Sequence, residues 1–143
     1  MMDVYADTGG NIVASEEVPP EHTDRYGILD VVEDDGRLAR AKGLVEKPTP
    51  DQAPSNLCII GRYILQPEVF DHLGRQEQGA GGEIQLTDAL ARTIETTPFH
   101  GLRFEGTRFD CGDKLGFLEA NLAFALDRDD LSDGMQQVIK KYV

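Results

Sequence analysis

Two short polar segments sit among apolar, strand-like runs: Leu44-Val45-Glu46-Lys47-Pro48 and Arg108-Phe109-Asp110-Cys111-Gly112. Each places an acid where a strand should end. A carboxylate such as Glu46 accepts hydrogen bonds from vicinal hydroxyls, and the compact ammonium of Lys47 suits a phosphate. Lys47 precedes Pro48, which predicts extended backbone there. In a strand the two side chains would point to opposite faces, whereas at a strand end they can splay around one ligand. Asp110, held between an aromatic residue and a cysteine and followed by glycine, is an acid at the rim of a core. Hard Mg²⁺ takes one or two such carboxylates plus phosphate oxygens and water. Gly27, after Tyr26, offers a backbone N–H with no side chain beside it, which suits a closely approaching hydroxyl. Together these groups point to a polyhydroxylated, phosphorylated ligand and a divalent metal. The plainer alternatives are an exposed Glu46–Lys47 pair, an ion pair of Asp110 with Arg108 or Lys114, and a simple kink at Gly27.

The elements that must position these residues are legible in outline. Asn11 to Ser15 follows Gly9-Gly10 and reads as a strand, as does Tyr26 to Val32. Asp35-Gly36, between Val31-Val32 and Leu38-Ala39, fits a type I′ hairpin. Leu57 to Leu65 is a near-continuous apolar run, so a buried central strand is predicted, with Gly61 admitting a ligand or another backbone. Pro67 suits the start of a helix with a Val69-Phe70-Leu73 stripe. Leu86, Leu90 and Ile94 define a second helix, entered near Gly82. Leu102 to Phe109 reads as one or two short strands. Leu115, Leu118, Leu122 and Leu126 mark a third helix. Ser132 is a fitting N-cap for a last one. Strands interleave with helices around a hairpin, which makes an α/β layout with a mixed sheet.

Composition narrows the partners. Twenty-six acids against 14 Lys and Arg give a formal charge of −12. Such a surface repels phosphate backbones, so no nucleic-acid partner is expected. No apolar run approaches the ~20 residues of a membrane span, so no membrane partner is expected and the chain reads as cytoplasmic. Cys58 and Cys111 read as buried, reduced thiols rather than a metal site. His22, His72 and His100 show no ligand spacing. Gly79-Ala80-Gly81-Gly82 is no phosphate loop, since no strand leads in and no Lys follows.

Five segments, in order, resemble one family: Arg25-Tyr26-Gly27-Ile28, Val45-Glu46-Lys47-Pro48, Ala53-Pro54-Ser55-Asn56-Leu57, the 79–88 stretch ending Glu83-Ile84-Gln85-Leu86-Thr87-Asp88, and Arg108-Phe109-Asp110-Cys111-Gly112. From about Asp3 to Leu131 the chain resembles the C-terminal half of the bacterial UTP–glucose-1-phosphate uridylyltransferases (UDP-glucose pyrophosphorylases). The family usually carries Tyr where Phe109 stands. The resemblance implies a Rossmann-like nucleotidyltransferase fold with a mixed sheet. It implies that residues 1–143 are the sugar-binding, C-terminal part of one such domain, including helices over 115–143, with the nucleotide-binding half missing. It implies transfer of a uridylyl group from UTP to glucose 1-phosphate, giving UDP-glucose and pyrophosphate. Residue by residue, Glu46 would bind glucose hydroxyls, Lys47 the sugar phosphate, and Gly27 the sugar through its backbone. Asp110 would be one of two carboxylates on Mg²⁺, and Gly82 and Glu83 would lie near the sugar and a subunit interface in a homo-oligomer. A fragment of this kind is expected to be inactive alone and to expose sheet edges that favour self-association. The rival readings are a non-catalytic sugar-phosphate-binding or oligomerisation module, and a relative using another base or sugar.

Overall fold

A computed structural model of the chain describes residues 1–75 and 84–143. They form two compact units, Met1–Phe104 and Glu105–Val143.

The first unit opens with helix α1 (Met2–Thr8) and strand β1 (Asn11–Glu17). A 3-10 turn (Pro20–Arg25) leads to β2 (Gly27–Asp34), and β3 (Leu38–Glu46) and β4 (Leu57–Ile64) follow. Helices α2 (Glu68–Gly74) and α3 (Leu86–Thr93) precede β5 (Phe99–Arg103). The strands close in the order β1-β4-β2-β3-β5. β1 and β5 run parallel and the other pairs antiparallel, so the sheet is mixed, as the interleaved pattern implies. Because β5 returns to β1, the expected open sheet edges are not found among the described strands.

Burial explains the layers. β1 buries five consecutive residues because both of its faces are covered. Ile12 packs with Val4 of α1 and Leu102, while Val13 joins Leu29, Leu57 and Phe99 against Val69 of α2 and Leu90 of α3. β3 alternates, turning Ala39 and Ala41 inward. Asn11, fully buried, ties β1 to the end of α3 and to the segment that leads into α2. Its amide donates to the Thr93 hydroxyl at 3.0 Å and its carbonyl accepts the Gln66 N–H at 2.7 Å.

Several local expectations are corrected. At the hairpin only Gly36 has positive φ, so the turn is not type I′. The Asp35 carboxylate accepts the Arg37 and Leu38 N–H groups at 2.8 and 2.6 Å and holds its own backbone at negative φ. Gly61, at φ +80°, serves a bulge where the β1–β4 register shifts, and nothing among the described residues lies within 4 Å of where its Cβ would be, so no other backbone approaches it there. β4 is buried only over its first half. Phe70 of α2 points outward, 70% exposed. The last strand lies earlier than the sequence suggests, ending at Arg103, and residues 104–110 hold no regular element.

In the second unit α4 (Lys114–Leu126) is followed by α5 (Ser132–Ile139). Asp113 caps α4, its carboxylate accepting the Leu115 and Gly116 N–H groups at 3.0 Å each. Ser132 is inside α5 rather than capping it; the N-cap is Leu131, with no side-chain bond. The α4 leucines do not face inward: Leu115 and Leu118 are 72% and 62% exposed, and only Ala120 and Ala125 are buried. Cys58 is a buried free thiol, but Cys111 is exposed.

Candidate functional site

Glu46 is the last residue of β3 and stands directly opposite Gly27, the first residue of β2. The pairing runs one residue further, with the Lys47 N–H donating to the Tyr26 carbonyl at 3.0 Å. Pro48 follows at once, its carbonyl 3.4 Å from the buried Thr23 hydroxyl, which donates to the nearer Pro20 carbonyl at 2.9 Å. Between Glu46 and Pro48, Lys47 adopts φ +46°, in place of the extended backbone that its neighbouring proline implies. The left-handed step has a direct consequence for the side chains. Strand alternation would part Glu46 and Lys47, but here the Lys47 ammonium lies 3.8 Å from Glu46 Oε1.

Glu46 is only 15% exposed, so its charge needs partners. Its other oxygen, Oε2, accepts the Thr87 hydroxyl at 2.5 Å, from the first turn of α3. Gly27 makes room for this arrangement: a Cβ there would lie 3.3 Å from Glu46 Oε2 and 3.6 Å from the Thr87 side chain. Tyr63 of β4 feels the same site. Burial, and then the Glu46 charge, push its phenol above the usual tyrosine range. The structure thus brings Gly27, Glu46 and Lys47 into one corner. It adds Thr87, which the residue chemistry did not single out. Thr87 left a trace, as a hydroxyl next to the first apolar position of a predicted helix.

Asp110 belongs to the second unit. It opens a tight turn: its Oδ1 accepts the Gly112 N–H at 3.0 Å, and its carbonyl accepts the Asp113 N–H at 3.2 Å. Gly116 in α4 explains why this turn can lie so near the helix, since a Cβ at that position would run into the Asp110 carbonyl. Phe109, before the acid, packs on Phe124 of α4 with ring centroids 5.8 Å apart. Asp110 is exposed, and its Oδ2 accepts no hydrogen bond from a described residue. One free, hard oxygen fits a single protein ligand to a divalent cation whose remaining positions are filled by phosphate and water. No group of three or more His, Cys, Asp or Glu is placed to hold a metal among the described residues. Gly82 and Glu83 lie outside the described residues. No described helix is long and apolar enough to cross a membrane.

Comparison with known proteins fits this geometry. Residues 1–126 match the family model described as nucleotidyl transferase. The UTP–glucose-1-phosphate uridylyltransferase of Komagataeibacter xylinus is 59% identical over 115 residues, covering 80% of this chain and 40% of that protein. A UDP-glucose pyrophosphorylase solved in complex with UDP-glucose superposes with a TM-score of 0.83 at 38% identity, over 90% of this chain and 49% of its own. The UTP-bound enzyme from Acinetobacter baumannii gives 0.86 at 35% identity, over 100% of this chain and 49% of its own. The chain therefore spans about half the length of the relatives it matches. The mixed-sheet α/β architecture is that of the nucleotidyltransferase fold, and the chain belongs to the nucleotidyl transferase family.

Proposed function

We propose that this chain is the sugar-phosphate-binding part of a UTP–glucose-1-phosphate uridylyltransferase. In that reaction a phosphate oxygen of glucose 1-phosphate attacks the α-phosphorus of UTP. The α–β phosphoanhydride bond breaks, pyrophosphate leaves, and UDP-glucose is released. The observation that carries the reading is the corner in which Glu46, Lys47 and Gly27 meet, an acceptor and a cation side by side against a backbone that has no side chain of its own. Glu46 accepts hydroxyls of the glucose ring, the Gly27 backbone hydrogen-bonds the sugar, and Lys47 holds its phosphate. Asp110 would hold Mg²⁺ by its free oxygen, and the ion would supply positive charge to the phosphates.

The protein's own contribution is charge and alignment rather than a covalent intermediate. Lys47 offsets the phosphate charge as two anions approach, on a chain whose net −12 otherwise opposes them. The choice of uracil and glucose is supported by similarity to UDP-glucose pyrophosphorylases. A cytoplasmic, homo-oligomeric enzyme is part of the same reading.

The test is turnover in the full-length protein that carries this chain. Lys47→Ala and Asp110→Ala are each expected to lower kcat on the order of 10²–10³, the usual cost of removing one fixed electrostatic contact. Near-normal turnover in either variant would refute the role given to that residue.

A further inference from the structure

The roles above leave one group of the corner unused, the Thr87 hydroxyl. We propose that Thr87 is a positioning residue that holds the Glu46 carboxylate in the orientation that meets the sugar, an inference that rests on reading this corner as a sugar site. The Glu46 carboxylate sits on three rotatable bonds and could turn away from the ligand. Thr87 removes that freedom. Its hydroxyl donates to Oε2 at 2.5 Å. The space beside the same oxygen, where a Gly27 Cβ would come within 3.3 Å, lies against the backbone of β2. Oε2 is therefore enclosed by Thr87 and Gly27. Oε1 is the oxygen that remains, 3.8 Å from the Lys47 ammonium, beyond hydrogen-bond length, with acceptor capacity to spare.

Thr87 is suited to this task by its place and its stiffness. It lies in the first turn of α3, which is fixed to the core by Ala89 and Leu90. Its branched Cβ restricts χ1, so the hydroxyl is held by the scaffold rather than by the ligand. A carboxylate ordered before the sugar arrives loses less freedom on binding. The Thr87 oxygen, having donated its proton, keeps its lone pairs next to the carboxylate, so the pair presents two adjacent acceptors, the arrangement that neighbouring ring hydroxyls can use.

The experiment compares the wild-type chain with T87V, which keeps the side-chain shape and removes the donor, and T87S, which keeps the donor. T87A, which also lacks the donor, stands in if valine does not fit. Three-bond NMR couplings report the Glu46 side-chain rotamers, and titration with glucose 1-phosphate reports affinity. Expected are a single Glu46 rotamer in the wild type, averaged couplings with about tenfold weaker binding in T87V, and recovery of both in T87S. Wild-type couplings in T87V, or averaged couplings with unchanged affinity, would overturn the positioning role. Averaging that T87S reverses, in a wild-type chain that binds no glucose 1-phosphate, would instead remove the sugar reading and leave the Thr87–Glu46 contact standing.

Discussion

Lys47 is the one non-glycine residue with positive φ among the described residues, at +46°. A side chain in that region costs roughly 1–2 kcal/mol against a relaxed backbone. Such strain persists only where the surroundings impose it, here the hydrogen bond from the Lys47 N–H to the Tyr26 carbonyl. Its return is the 3.8 Å approach of ammonium to carboxylate, which an extended Lys47 would not make. Two variants separate the cost from the use. Lys47→Gly is expected to be more stable to urea than Lys47→Ala by about 1 kcal/mol, because glycine accepts this φ, while both lose affinity for glucose 1-phosphate. Equal urea midpoints would mean that the backbone carries no strain. At this scale the sequence was informative where chemistry is local: Glu46 and Lys47 are adjacent, and Gly27 follows its own strand-start signal. It did not tie Thr87 to Glu46, which lies 41 residues away and meets it only through the packing of α3. Nor could it foresee the left-handed Lys47, because the Pro48 rule argues locally for the opposite and long-range hydrogen bonds override it.

Elements were readable where periodicity is strong and unreadable where one glycine or proline breaks it. β1, the β2–β3 pair, β4 and the helices after it carry clear patterns, whereas α1, seven residues long, was not read. β5 was displaced because Pro98 and Gly101 look like breakers at its start. Gly101 is in fact required there, since a Cβ would run into Leu29 in the core. The α4 leucines show the limit of periodicity itself: spacing identifies the helix but not whether its apolar face is buried. One contact between elements has a checkable pH signature. Arg103, the last residue of β5, donates two bonds of 2.7 Å to Asp34 at the end of β2 and one of 3.0 Å to Glu17 at the end of β1. The guanidinium holds the Asp34 carboxyl below the usual carboxylate range, helped by the Gly36 N–H. A lowered folded value stabilises the fold above the unfolded value of about 3.9, and the contribution fades as pH falls through the folded one. Arg103→Met should therefore cost about 0.5–1 kcal/mol at pH 7 and less at pH 3, as read from urea unfolding at both. An equal loss at the two pH values would mean that packing of the arginine stem, rather than the ion pair, joins these strand ends.

At the scale of the whole molecule, the distribution of charge sets what this chain can do alone. Both substrates of the proposed reaction are anions, and the chain carries a formal −12. Against that field the sugar corner offers, among the described residues, one cation, Lys47, and the second unit offers Asp110, itself an anion. A sugar phosphate can be held by one ammonium together with hydroxyl contacts to Glu46 and Gly27. A nucleoside triphosphate carries more charge and needs a cradle of backbone N–H groups or several cations. The sequence has no strand-like apolar run directly before a glycine-rich stretch that ends in Lys, and the chain spans about half the length of relatives that include a UTP-bound enzyme. The two substrates should therefore part company on this chain. Glucose 1-phosphate is expected to bind, with an affinity that Lys47→Ala abolishes, while UTP plus glucose 1-phosphate with Mg²⁺ yields no pyrophosphate above blank. Titration calorimetry and a coupled pyrophosphate assay on one preparation make the comparison. Pyrophosphate release that disappears in Lys47→Ala would show that these residues suffice to hold both anions, and the division of labour argued from their charge would be wrong.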